Sequence, residues 1–194
     1  MKLEHRPIIL LDRDGTINVD RHYLSDPDAL EFEVGAVEGL RDLAAMNALL
    51  CVVTNQSGVA RGMFGLERVE AVNQRLASML HDNGVEIAGW YVCPHGPDDG
   101  CNCRKPEPGL ALQAAAEHGF DPAAVIVVGD KLSDVGLAES IGGRGILVRS
   151  GLQVNDVPSE LRLMNDIEII SDLRQLALLV HQGLGAILNQ RTET

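Results

Sequence analysis

No run of apolar residues in this 194-residue chain approaches the ~18 needed to cross a bilayer, which argues against a membrane partner. The opening Met1-Lys2-Leu3-Glu4-His5-Arg6-Pro7 leads only into a short apolar run that ends at Asp12. That run is too short for the core of a signal peptide, and no small-residue cleavage site follows it, so a cytoplasmic location is expected. A basic stripe is missing as well. The formal net charge is −12 and no Lys/Arg cluster stands out, whereas a nucleic-acid binder takes most of its affinity from neutralising phosphates. A small anionic substrate stays open, because a few local cations and a metal can override the global field. Internal repeats, low-complexity tracts and interdomain linkers are also lacking. With 45% hydrophobic residues, residues 1–194 can bury one core and are expected to form a single domain, acting as a monomer.

What is present is an alternation of short apolar runs with helical periodicity. Ile8 to Leu11 and Leu49 to Val53 are continuous apolar runs of the kind buried on both faces of a parallel sheet. Ile87 to Val92, Val125 to Val128, Ile146 to Val148 and Ile167 to Ile170 predict further strands. Between them, Val37, Leu40, Leu43 and Ala44 recur at helical spacing. So do Leu66, Val69, Val72, Leu76, Met79 and Leu80, in a helix expected to stop near Asn83-Gly84. Gly109 to His118 and Asp134 to Ile141 predict two more helices. Leu173, Leu176, Ala177, Val180, Leu184 and Ile187 form the stripe of a last one, before a tail 189–194 expected to fray. The expected fold is α/β, a doubly wound, mainly parallel sheet with flanking helices. In such a sheet ligands bind beyond the carboxyl ends of the strands. Asp12, Thr54 and Asp130 each follow an apolar run directly and should converge there.

Asp12 and Asp14 stand one residue apart, with Gly15 to permit a sharp turn. One carboxylate could attack while the other handles protons. Two close carboxylates repel, so a divalent cation is needed to keep the first ionised. Gly129-Asp130-Lys131, with Asp134 beyond, adds oxygen ligands of the kind magnesium prefers. Taken alone, Asp-x-Asp-Gly also suits a simple turn or a calcium-loop fragment; its place after a buried strand favours the catalytic reading. Cys93, His95, Cys101 and Cys103 supply three thiolates and an imidazole, a donor set for tetrahedral zinc with no open position, hence a structural site. Arg104 and Lys105 follow Cys103 directly, so such a zinc would fix the backbone that presents both cations. Cys51 lies within an apolar run and reads as a core residue.

These motifs resemble those of the haloacid dehalogenase-like (HAD) hydrolase superfamily, in its phosphatase branch. Asp12-Arg13-Asp14-Gly15-Thr16 resembles its first motif, Thr54 its second, Lys105 its third, and Gly129-Asp130-Lys131 with Asp134 its fourth, in the family's order. The resemblance implies a Rossmann-like HAD fold and a phosphatase with Asp12 as nucleophile and Asp14 as proton donor and acceptor. It implies magnesium held by Asp12, the Asp14 main-chain carbonyl and Asp130, with Asp134 in support. Thr54 and Lys105 would stabilise the transferring phosphoryl group. Over residues 6–150, the zinc loop, Thr54-Asn55-Gln56-Ser57-Gly58-Val59-Ala60-Arg61-Gly62 and Arg104-Lys105-Pro106 are similar to the heptose-bisphosphate phosphatases, which serve lipopolysaccharide-core or related nucleotide-sugar synthesis. Histidinol-phosphate phosphatases are close relatives.

Carried across, that likeness implies substrate contacts from Asp20, Arg21, His22, Tyr23, Thr54, Asn55, Gln56, Ser57, Arg104, Lys105 and Lys131, although His22 and Tyr23 have the alternative of packing a surface loop. The stretch between Asp14 and the first helix has room for a flap but not for a large cap domain, and the zinc loop fills the other insertion place. Specificity is then expected from short loops around an open site. The alternatives to a sugar bisphosphate are histidinol phosphate, a 3′-phosphorylated polynucleotide, which the −12 charge disfavours, and a non-catalytic zinc-stabilised binding module.

Overall fold

A computed structural model of the chain describes residues 6–149 and 167–184. Its strands are β1 (Ile8–Leu11), β2 (Leu49–Asn55), β3 (Gly89–Cys93), β4 (Val125–Gly129), β5 (Arg144–Val148) and β6 (Glu168–Ile170). Its helices are α1 (Ala36–Ala45), α2 (Leu66–His81), α3 (Gly109–His118), α4 (Leu132–Ile141) and α5 (Leu173–Leu179). The six strands form one sheet in the order β3-β2-β1-β4-β5-β6, and every pairing is parallel. None of the described helices is long and apolar enough to cross a membrane.

Side-chain alternation explains why apolar runs, rather than alternating ones, mark these strands. Ile9, Leu11, Leu50, Val52, Ile126, Val128, Ile146 and Val148 point to one face, where Leu40, Leu43, Val72, Leu76, Leu80, Leu173 and Leu176 of α1, α2 and α5 cover them. Ile8, Leu10, Leu49, Cys51, Val53, Val125 and Val127 point to the other, under α3 and α4. The predicted architecture is present, and Cys51 is a fully buried core residue. Several boundaries differ. β3 begins at Gly89 rather than Ile87, because Ala88 donates its N–H to Leu50 and Gly89 is the first residue in register with β2. The fourth helix starts at Leu132, before Asp134. The last helix is regular only to Leu179 and continues as a single turn, Val180–Leu184, in which Gly183 has φ 105°. Ile187 and the tail 189–194 lie outside the described residues.

The order of strands reverses at β1. The chain winds outward through β2 and β3, then returns to the other side of β1 with β4. The carboxyl ends of β1 and β4 therefore flank the crevice where two crossover connections diverge, the place such folds bind ligands. Residues 12–35, between β1 and α1, hold only a short turn at Pro27–Ala29 and isolated bridges at Asp14–Asn18 and Asn18–Phe32. This is a flap. Residues 94–108, between β3 and α3, form the cysteine–histidine loop.

Behind the crevice α1 and α5 pack so closely that a Cβ on Gly39 would lie 2.2 Å from the Leu173 carbonyl carbon. Gly39→Ala gains ~1 kcal/mol of helix propensity but overpacks backbone against backbone, at a typical ~1–3 kcal/mol. The overpacking should win. The expected outcome is a lower urea midpoint with an unchanged m-value; a midpoint at or above wild type would contradict this packing.

Candidate active site

The first carboxylate is placed by the sheet itself. The Asp12 N–H donates to Val128 O of β4 at 2.8 Å, which ties the end of β1 to its neighbour. Its side chain is nearly buried. Asp12 Oδ1 accepts from the Arg13 N–H at 2.7 Å and pairs with Lys105 Nζ at 3.0 Å. Both contacts fall on the same oxygen, so Oδ2 is the one left to a ligand. Gly15 completes the turn with φ 78°, and its missing Cβ would lie 2.4 Å from Asp130 Oδ2. Any side chain there would collide with the second acidic residue as well as strain the backbone.

Lys105 is fully buried and uses its ammonium on Asp12, on Asp134 Oδ1 at 2.6 Å and on Val53 O at 2.8 Å. Burial alone would strip its proton, but the carboxylates of Asp12 and Asp134 hold its pKa above the ordinary lysine value. The loop carrying it is docked by Asn55. That amide accepts from the Lys105 N–H at 3.0 Å and donates to the Lys105 carbonyl at 3.2 Å, clamping the main chain on the end of β2. Arg104 in turn donates from a terminal nitrogen to His95 O at 3.1 Å.

Oxygen atoms of Asp12, Asp130 and Asp134 all lie within 4.8 Å of one another. Asp130 Oδ1 is buried without a hydrogen-bond partner, with Lys131 Nζ at 3.5 Å. Burial, offset in part by Lys131 and reinforced by Asp12, Asp134 and Asp20, pushes the Asp130 pKa up to about 7. An orphaned buried oxygen among three crowded carboxylates fits a divalent cation. Asp134 is differently engaged, since its Oδ1, also without a hydrogen-bond partner, is ion-paired with Lys105 and its Oδ2 accepts from the Lys131 N–H at 3.1 Å, which suits a supporting role.

Asp14 is held by donors on every side. Arg13 grips both its oxygens, Nε at 3.3 Å and a terminal nitrogen at 2.8 Å; Asn18 donates at 2.9 Å and Gln56 at 2.8 Å. Burial works to raise the Asp14 pKa, but Arg13 and these hydrogen bonds overcome it and hold the carboxyl below its ordinary 3.8. The same Gln56 amide donates to Thr54 Oγ1 at 2.9 Å.

These groups open on a cavity of about 300 Å³ lined by Asp12, Asp14, Asp20, His22, Tyr23, Thr54, Asn55, Gln56, Ser57, Arg104, Lys105, Lys131 and Ser133. Sequence reasoning had brought nearly all of them to one place, Ser133 excepted. Arg21 does not line this cavity: its guanidinium pairs with Glu31 at the surface. Asn55 lines the wall but directs its amide to the Lys105 main chain. His22 and Tyr23 do face the cavity, with φ 49° and 61°, and Arg61 lies over the Tyr23 ring at 5.9 Å. The roles of Arg13 and Gln56 as holders of the Asp14 side chain, and of Asn55 as holder of the Lys105 main chain, had no sequence signal.

In the neighbouring loop, Cys93 Sγ is 3.7 Å from Cys101 Sγ and 3.2 Å from Cys103 Sγ, and Cys103 is 3.5 Å from Cys101. His95 Nδ1 lies 3.6 Å from Cys93 and 3.2 Å from Cys103. The cysteines are free thiols. Such separations are far longer than a disulfide's ~2.05 Å and close to the edges of a tetrahedron with metal–sulfur bonds of ~2.3 Å.

A HAD-hydrolase-like family model matches residues 102–176. The chain is 45% identical over 157 residues to the D-glycero-beta-D-manno-heptose-1,7-bisphosphate 7-phosphatase of Yersinia pestis, covering 76% of this chain and 83% of that protein. The enzyme of the same name from Pasteurella multocida is 37% identical over 180 residues, covering 87% and 95%. Among solved structures, the D,D-heptose 1,7-bisphosphate phosphatase of B. bronchiseptica, complexed with magnesium and phosphate, superposes with a TM-score of 0.79 at 32% identity, covering 91% of this chain and 98% of that one.

Arg13 is fully buried while its partner Asp14 is partly exposed on the cavity, so removing the carboxylate leaves a buried charge uncompensated. Asp14→Asn should therefore destabilise the fold by about 3–5 kcal/mol at neutral pH. Because the folded pKa lies below 3.8, the carboxylate's contribution is whole above that value and is lost as pH falls through the lower, folded one. Urea unfolding should show the wild-type advantage narrowing only below pH 3.8; narrowing near neutrality would contradict the assignment.

Proposed function

We infer that this chain, which belongs to the heptose-1,7-bisphosphate 7-phosphatase family of the HAD-like hydrolases and is a phosphomonoester hydrolase, removes the C7 phosphate of D-glycero-D-manno-heptose 1,7-bisphosphate. The observation that carries the chemistry is the Asp12 carboxylate. It is fixed at the reversal point of the sheet with Oδ1 engaged by Arg13 N–H and Lys105, and Oδ2 left toward the cavity.

Asp12 attacks phosphorus in line. A bond forms from its carboxylate oxygen to phosphorus as the bond from phosphorus to the sugar oxygen breaks, and the Asp14 carboxyl delivers its proton to that departing oxygen. A water molecule then attacks the aspartyl-phosphate. Asp14 takes the water's proton, the Asp12–phosphorus bond breaks, and phosphate leaves. Thr54 and Lys105 receive the equatorial oxygens, where charge develops. Asp12, Asp130 and the Asp14 main-chain carbonyl would hold magnesium, with Asp134 in support. When bound, the ion offsets the joint negative charge of the carboxylates and the phosphoryl group.

The cavity rim favours a doubly phosphorylated substrate over an amino alcohol. Asp20, the carboxylate best placed to receive an amine, already lies 3.3 Å from Lys131 Nζ. Arg104, which makes no ion pair among the described residues, is then the rim cation free to meet a second phosphate, and Lys131 could join it only by leaving Asp20. Zinc is the natural occupant of Cys93, His95, Cys101 and Cys103, a closed tetrahedral donor set; Arg104 donates to the His95 carbonyl and Lys105 follows it in the chain, so the loop's order would reach the cavity. Free thiols suit a reducing compartment, and we place the reaction in the cytoplasm, supplying heptose for lipopolysaccharide core or a related nucleotide sugar.

Steady-state kinetics on heptose 1,7-bisphosphate, histidinol phosphate and a 3′-phosphorylated oligonucleotide should give a kcat/KM preference for the heptose above tenfold, about 1.4 kcal/mol. A smaller preference would sink the substrate. The two metal sites should separate under perturbation. Asp12→Asn is expected to abolish turnover with zinc retained, whereas zinc removal by a chelator should lower turnover and raise amide exchange around residues 93–105. Full activity in the zinc-free protein would overturn the relay.

A further inference from the structure

We propose that Asn73, on α2, is a positioning residue for Asp14 and acts through the buried guanidinium of Arg13. The proposal rests on the reading of Asp14 as proton donor and acceptor. Arg13 is fully buried, an unusual place for a residue with five N–H donors and a permanent charge. Its Nε and one terminal nitrogen hold the two oxygens of Asp14, at 3.3 and 2.8 Å. Its other terminal nitrogen donates to Asn73 Oδ1 at 2.8 Å. A guanidinium is planar and rigid. Anchoring the far terminus while the near edge grips a carboxylate fixes the plane of the fork, and with it the plane of the Asp14 carboxylate.

The position of Asn73 in its helix supports a role of this kind. Val69, Val72, Leu76 and Leu80 are the buried apolar residues of α2, and Asn73 is the polar residue buried among them. An apolar side chain would serve the core better unless something there needs an acceptor, and Arg13 does. Gln56 and Asn18 also hold Asp14, but both touch the carboxylate directly. Asn73 touches only the group behind it. It also borders a second cavity, of about 430 Å³, between α2 and Trp90 of β3, so a changed side chain at 73 has space.

The test compares leaving groups. An alkoxide needs a proton from Asp14 to depart, whereas 2,4-dinitrophenolate leaves without one. In Asn73→Leu, kcat on the heptose bisphosphate should fall about 10- to 100-fold with KM within about twofold. The pre-steady-state burst of dinitrophenolate should change by less than about threefold. Asn73→Asp, which keeps an acceptor oxygen, should restore most of the lost kcat. Should Asn73→Leu fail to fold, Asn73→Ser, too short to reach Arg13 yet small enough for the cavity to hydrate, carries the same comparison. Equal losses on both substrates, or no loss on either, would overturn the proposal. Asp14→Asn serves as the reference. If that variant shows no dependence on the leaving group, the reading of Asp14 itself fails; if it does and the Asn73 variants do not, only the relay fails.

Discussion

One ammonium group holds the site together. Lys105 Nζ sits between Asp12, at the end of β1, and Asp134, in the first turn of α4, while donating to the carbonyl of Val53 in β2. Three segments far apart in sequence thus converge on one buried charge. A buried lysine is tolerable only when its donors are met and its charge is compensated. Here both hold. The arrangement overshoots, however, because Asp130 joins the same cluster and brings three carboxylates against one buried cation. Lys131 approaches Asp130 only from the partly exposed side. A divalent cation is what such an imbalance calls for, so the lysine and the metal are complementary parts of one charge arrangement rather than separate features.

The lysine reaches that position on a loop with no regular structure of its own. Rigidity is supplied from two directions: the Asn55 amide clamps the Lys105 main chain to β2, and the cysteine–histidine cluster gathers residues 93–103 just before it. Burial keeps the Cys93 thiol up at about 12, so a cation that took the cluster would have to displace that proton. A cation held there would order the loop by coordination instead of by hydrophobic area. This suits a segment whose cations must face an open, wet cavity.

Most of this could be read from the sequence because the catalytic positions are tied to the carboxyl ends of strands. Unbroken apolar runs marked strands buried on both faces, and the polar residue after each run had to emerge at the same edge. Asp12, Thr54 and Asp130 were legible for that reason, and the cluster of Cys93, His95, Cys101 and Cys103 for its residue types and spacing. Side-chain contacts whose partners, side chain or main chain, lie on other elements were not legible. Gln56 meets Asp14 across 42 positions, Asn55 meets Lys105 across 50 and Arg13 meets Asn73 across 60. No local periodicity encodes such pairs. Arg21 was assigned to the cavity along with its neighbours, but in an irregular flap adjacent residues share no face, and it turned to Glu31 instead. Boundaries slipped by a residue or two where hydrogen-bond register, not hydrophobicity, decided them.

The donors around Asp14 set up a tension that the chemistry has to resolve. A carboxyl held below 3.8 by Arg13, Asn18 and Gln56 is ionised at neutral pH, yet the proposed first half-reaction needs it protonated. Low basicity is not only a handicap: an acid that is strong once protonated gives up its proton readily to an alkoxide. The difficulty lies in loading the proton. An anionic phosphoryl group entering beside Asp14 works in that direction, since a like charge raises a carboxyl pKa, and Gln56 is already shared with Thr54, a residue proposed to meet the same oxygens. Arg13 cannot be recruited away in this manner, because it is buried and Asp14 is its counter-charge. On the proposed mechanism, the substrate's own charge is what loads the proton against Arg13. Substrate binding and acid activation become one event, and an empty site keeps its acid unloaded.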